Sequence, residues 1–201
     1  MMAPPFKDDG RFRAAVPEDA PALALFVNMA GEGLPHYLWS RMATPGQSAW
    51  EVGCARARRD SGSFSWRNAT LRVVEGEAVA CLIGYPLDDG PVVSDYASMP
   101  PMFQPLQQLE DQACGTWYVN VLATREEHRG KGHGRALLEL AEEFARRHGR
   151  RGTSLIVADA NLTARRLYAR MGYGEVDRRP MVKEQWENPA REWVLMVKPL
   201  G

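Results

Sequence analysis

The chain has 201 residues, 45% of them hydrophobic and 25% charged, and its 25 Lys and Arg balance 25 Asp and Glu. That length and composition suit one domain, or one domain with extensions, around a sizeable core. Zero net charge gives no bulk attraction for nucleic acid or a membrane surface, so basic character must be local.

The N-terminus, 1-MMAPPFKDDGRF-12, has no apolar core of signal-peptide length, and residues 1–10 are expected to be flexible. No run approaches the ~18 apolar residues of a membrane span. Cys54, Cys81 and Cys114 are odd in number, widely spaced and without a C-x-x-C pair. They read as packing residues in a reducing cytoplasm.

Residues 11–16 alternate as a short strand. Pro17, Glu18 and Asp19 read as a helix start, Leu23, Phe26, Val27 and Ala30 as its apolar face, and Gly31 as its end. The aromatic-rich 32–42 is interrupted by Pro35, and a second helical segment runs from Gln47 to about Arg59. Residues 69–74 and 77–85, joined by Glu75-Gly76, read as a β-hairpin. Residues 86–114, with five prolines, read as a long connection with one short helix near 102–111. A dense strand candidate follows, 116-TWYVNVLAT-124. After a glycine loop, Leu137, Leu138, Ala141, Phe144 and Ala145 recur at helical spacing, with Arg146, Arg147 and His148 at the helix end and Gly149 beyond. Residues 153–158 read as a buried strand, Asn161 as the cap of a helix through Met171, and 174–182 and 191–198 as two late strands. With hairpins at both ends and a β-α-β-α unit between, the fold class is an α/β or α+β sandwich around one sheet.

The chemistry concentrates in 125-REEHRGKGHGRALLEL-140. A Walker A loop needs Ser or Thr after its Lys, but Gly132 follows Lys131; a dinucleotide fingerprint fails because Arg135 and Leu137 stand where glycine is required. What remains is strand, acidic turn, R-G-K-G-H-G, helix. Glycines let backbone amides converge on an anion, the helix N-terminus adds positive potential, and Arg129, Lys131 and Arg135 supply countercharge. The alternative is a Gly-rich turn with a solvated basic rim.

This stretch resembles the GNAT acetyltransferase superfamily, whose [Q/R]-x-x-G-x-[G/A] pattern is matched by Arg129, Gly132 and Gly134. Its N-x-x-A-x-x-L-Y-x-x-x-G-[F/Y] element is matched by Asn161, Ala164, Leu167, Tyr168, Gly172 and Tyr173. The resemblance covers 116–173 firmly and 11–31 and 69–85 more loosely. It implies one acyl-CoA N-acyltransferase domain over 1–201, with a mixed central sheet of about six to seven strands flanked by helices and splayed central strands. It implies acetyl-CoA as donor, its pyrophosphate on Gly130, Lys131, Gly132, His133, Gly134 and Arg135 beside Arg129, and its pantetheine arm along Leu122, Ala123 and Thr124. Asn161 either only caps its helix or also contacts the coenzyme.

The reaction so implied is direct attack of an amine on the thioester in a ternary complex. A backbone amide at or near Leu122 would stabilise the oxyanion, and Tyr168, at the family's acid position, would protonate the leaving thiolate. The base is open. Some relatives carry a glutamate early on the central strand, where this chain has Tyr118, a weak base. Glu32, His36, Asp95, Glu110, Asp111 and a water relay remain. Tyr37, Trp39, Trp117 and Tyr118 either line an acceptor pocket or fill the core, and Trp39 and Trp117 read as core. The histidines at 36, 128, 133 and 148 form no H-x-x-x-H pair, so no metal is expected. The partners expected are acetyl-CoA and an amine acceptor on a small molecule, with no nucleic acid or membrane, in a monomer or homodimer. Alternatives are a protein or peptide acceptor, or a non-catalytic acyl-CoA sensor.

Overall fold

The computed structural model describes residues 12–90 and 94–201. In chain order the elements are β1 (Phe12–Ala14), α1 (Ala20–Ala30), α2 (Leu34–Met42), α3 (Ala49–Ala57), β2 (Ala69–Val74), β3 (Glu77–Pro86) and α4 (Gln104–Glu110). They continue as β4 (Thr116–Thr124), α5 (His133–Arg147), β5 (Gly152–Ala158), α6 (Leu162–Arg170), β6 (Gly174–Pro180) and β7 (Glu192–Pro199). The seven strands form one sheet in the order β1-β2-β3-β4-β5-β7-β6. It is mixed: β4 and β5 run parallel, whereas β1–β2, β2–β3, β5–β7 and β6–β7 are antiparallel. The parallel pair needs a crossover, which α5 supplies. The mixed α/β class read from the sequence is therefore the class observed. The proposed flexible segment 1–10, and Arg11 of the first strand, lie outside the described residues.

The chain divides into two compact units. The first comprises residues up to Gly84 together with Asn120–Leu137. Its core joins Leu23, Phe26 and Val27 of α1 to Trp39 of α2, Leu71, Cys81, Ile83, Val121 and Ala123. Arg13 of β1 forks onto Asp19 at 2.6 and 2.8 Å, and the Val16 amide donates to the same carboxylate at 2.8 Å. Burial pushes the Asp19 carboxyl up, but those partners outweigh it and hold it below the usual carboxylate range. One element differs from expectation. Pro35 does not interrupt a helix but sits in the first turn of α2, where its missing amide hydrogen costs nothing. Ser48 and Glu51 form a capping box that starts α3. The hairpin turn places Glu75 (φ 51°) and Gly76 (φ 82°) both in the left-handed region, as a two-residue turn requires.

The second unit comprises Tyr85–Val119 and Leu138–Gly201. The β4–β5 register runs from Thr116↔Gly152 to Val119↔Leu155, and β5 pairs with β7 along its length. The sequence reading begins β5 one residue late. Gly152 belongs to the strand through its pairing with Thr116 and Pro199, and it is glycine because an added Cβ would lie 2.5 Å from the Lys198 carbonyl oxygen. Trp117 packs on Phe144 and His148 of the α5 segment, with ring centroids at 5.2 and 4.8 Å. Trp39 and Trp117 are thus both core, at 3% and 7% exposed. The long connection holds α4, which packs against β5, β6 and β7 and buries Pro105 and Leu109.

Candidate active site

In the first unit, β4 leads into the glycine loop. From Val119 onward burial alternates: Val121 and Ala123 are inside, while Asn120, Leu122 and Thr124 are half-buried. Arg125 fixes the base of the loop to β3. Its amide donates to the Val79 carbonyl at 2.9 Å, and its guanidinium donates to Ala78 at 2.8 Å. A short 3-10 turn, Glu126–His128, follows. Gly130 (φ 74°) and Gly132 (φ 84°) then adopt the left-handed conformation that favours glycine. An added Cβ at either would meet nothing within 4 Å, so open space faces the loop. The Ala136 amide is the one that donates to the Gly132 carbonyl, and the amides before it in the first turn of α5 have no partner within the helix.

The loop is electropositive. Arg129, Lys131 and Arg135 are exposed, and Arg129 donates to the Thr124 carbonyl at 3.4 Å. His133 is half-buried, and its imidazole is held below the ordinary histidine range by burial and then by the positive charges of Arg72, His128 and Lys131. Arg72 comes from β2 and was not among the residues the sequence singled out. Strand register, not local motif, brings it here. One of its terminal nitrogens, Nη1, is buried and without a hydrogen-bond partner. Its guanidinium lies over the Phe12 ring, 5.2 Å from the centroid, and a buried donor without a hydrogen-bond partner, in the cluster whose charge acts on His133, fits an anionic ligand.

The second unit holds the other predicted residues. The Asn161 Oδ1 accepts from the Ala164 amide at 3.2 Å, so its capping role is real. Tyr168 is the buried residue of α6, 7% exposed, with its ring centroid 5.9 Å from that of Tyr173. Gly172 ends the helix at φ 90°.

The candidate bases separate by environment. Asp95 is exposed. Glu32 takes a left-handed turn conformation (φ 52°), and His36 lies against Trp50 with centroids 5.0 Å apart. Asp111 is committed, accepting from the Tyr96 hydroxyl at 2.6 Å and from Gln107 at 2.7 Å. Glu110 differs from all of these. Burial, followed by the charge of Asp111, pushes its carboxyl up to about 7. Tyr118 is a poor base here: burial, followed by the charges of Glu110 and Tyr85, drives its phenol well above the ordinary range. Among the described residues no group of three or more His, Cys, Asp or Glu could hold a metal ion, and no helix is long and apolar enough to cross a membrane.

Comparison with known proteins bears on these residues. The model of the acetyltransferase (GNAT) family matches residues 36–173. Among solved structures, an acetyltransferase aligns at a TM-score of 0.64 and 18% identity, over 94% of this chain and 99% of its own. An N-acetyltransferase from Staphylococcus aureus Mu50 aligns at 0.60 and 15%, over 92% and 98%. The NatC complex, solved with a Gag peptide and CoA, contains a chain that aligns at 0.54 and 14%, over 94% and 98%. At such identities the likeness is one of fold. No curated protein matches the chain.

Proposed function

Because the chain belongs to the acetyltransferase (GNAT) family, we propose that it is an N-acetyltransferase that moves an acetyl group from acetyl-CoA to a primary amine on a small molecule. The observation that carries this reading is the loop itself. Two left-handed glycines open onto empty space at the start of α5, and a buried, unpartnered Arg72 nitrogen lies in the same positive cluster. Backbone amides from Gly130 to Arg135 would hold the pyrophosphate, with Arg129, Lys131 and Arg72 as countercharge. Leu122, Ala123 and Thr124 would offer strand-like hydrogen bonds to the pantetheine arm, and the Leu122 amide would stabilise the oxyanion. Asn161 would add a coenzyme contact beside its cap.

The amine attacks the thioester carbonyl carbon as the neutral base. The C–N bond forms, the tetrahedral adduct collapses, and the C–S bond breaks. Tyr168 would donate the proton that the departing thiolate needs. A phenol with an ordinary pKa of about 10 can protonate a thiolate whose parent thiol lies near 8.5.

The test is thiol release from acetyl-CoA, followed with DTNB, against a panel of small amines and a peptide with a free N-terminus. Turnover of a small amine is expected. The Tyr168→Phe variant should bind acetyl-CoA normally but lose about 100-fold in kcat. A variant with the full wild-type rate would exclude Tyr168 as the acid. Turnover of the peptide alone would move the acceptor from metabolite to protein.

A further inference from the structure

Val52, Ala55, Arg56 and Arg59 follow the i, i+3, i+4, i+7 spacing that brings side chains to one face of a helix. On a core-facing helix that spacing is apolar throughout, but here it ends in two arginines. These four residues line an open pocket of about 260 Å³ in the first unit, together with Met42 at the end of α2 and Gln47 of the connecting turn. Val52 is buried, whereas Met42 is 52% exposed. The lining is therefore apolar carbon and two cations.

Neither arginine has an anion of its own. Arg56 Nε is buried and makes no hydrogen bond, while Arg59 Nε donates to the Arg56 carbonyl at 3.3 Å. The nearest carboxylates along the chain are committed elsewhere. Glu51 accepts from the Ser48 amide at 2.7 Å and from its hydroxyl at 2.8 Å, and Asp60 pairs with Arg67 at 2.7 Å. Among the described residues no carboxylate pairs with Arg56 or Arg59. Burial, followed by the like charge of Arg59, holds the Arg56 guanidinium below its ordinary range, yet an arginine stays charged. Cations in the last turn of a helix complement its dipole. That accounts for positive charge at this end of α3, but not for a guanidinium nitrogen buried with no acceptor, which loses its hydration and gains no partner.

We propose that this pocket binds a small carboxylate with an apolar body, its carboxylate on Arg56 and Arg59 and its carbon chain along Val52, Ala55 and Met42. The planar guanidinium fork matches the two oxygens of a carboxylate. The apolar lining favours a carbon tail over bare phosphate, which would leave those side chains in water. Methionine, flexible and polarizable, adapts to tails of different shape. The volume falls just below the ~300–1,000 Å³ of drug-sized sites, so it suits a short chain or a single ring. The site lies within the first unit, shares no residue with the glycine loop and depends on no transfer chemistry.

The experiment is calorimetric titration of sodium hexanoate, hexanol and inorganic phosphate at fixed ionic strength, with the fold of each variant checked by circular dichroism. Hexanoate should bind saturably, and about 10-fold or more tightly than hexanol or phosphate. Arg56→Gln should weaken hexanoate about 10-fold or more. Arg59→Gln, at an exposed position, should weaken it in the same direction, and gives the reading even if the buried substitution fails to fold. Gly132→Asp, which blocks the coenzyme loop in the function proposed above, should leave hexanoate affinity unchanged. Absence of saturable hexanoate binding, phosphate binding as tight as hexanoate, or equal affinity in wild type and the arginine variants would overturn the assignment. So would loss of hexanoate binding in folded Gly132→Asp, which would put the ligand in the loop. None of these results bears on acetyl transfer, so the two readings fail separately.

Discussion

Glu110 is costly to fold with. Its carboxyl sits near 7 in the native state, against about 4.3 for an unfolded glutamate. A raised carboxyl pKa means the native state holds the proton more tightly. That contribution is fully present below the unfolded value and is lost as pH rises through about 7. Glu110→Gln should therefore match wild-type stability near pH 4 and exceed it at pH 8, by on the order of 2–3 kcal/mol. Thermal denaturation at the two pH values checks this, and equal differences at both would contradict it. Sequence reasoning named Glu110 among several candidate bases but could not see its burial, which depends on how α4 packs. Arg72 was missed for a related reason: nothing local distinguishes it from other strand arginines. Tyr168 and the loop glycines stood out in the sequence because each belongs to a fixed local spacing, and the structure places Tyr168 as the buried residue of α6 and Gly130 and Gly132 in the left-handed region.

Most element boundaries were legible because their signals are local too. Glu75-Gly76 marks the hairpin, Ser48 with Glu51 starts α3, and Gly149 and Gly172 end α5 and α6. Pro35 misled because a proline inside an aromatic run looks like an interruption until the helix start is known. Helix packing was not readable at all. Gly53 lies within α3, where glycine ordinarily weakens a helix by about 0.5–1 kcal/mol relative to alanine. An alanine Cβ there would lie 2.6 Å from the Trp39 ring, which is buried and held edge-on against Trp50 at 6.0 Å. Gly53→Ala should therefore destabilise the protein by about 1–3 kcal/mol, despite its better helix propensity. Urea denaturation reads the difference, and a more stable variant would refute this account of α2–α3 packing.

The seven-strand order could not be taken from the chain. Strand candidates were evident, but placing β7 between β5 and β6 depends on pairing between distant segments. Zero net charge excluded bulk attraction for polyanions and left room for a local positive site, which Arg72, Lys131, His128 and His133 make up. The transferase reading therefore depends on whether that site takes the coenzyme's pyrophosphate. Gly132→Asp is the sharpest probe. The position is exposed and a Cβ there meets nothing within 4 Å, so the cost to folding is confined to about 1–2 kcal/mol of backbone strain. The new carboxylate would meanwhile stand in the loop proposed to hold the phosphates, where it would repel them. Calorimetric titration of acetyl-CoA into both proteins should give saturable binding to wild type and none to folded Gly132→Asp. Equal affinity in the two proteins, or no binding to wild type, would contradict the account.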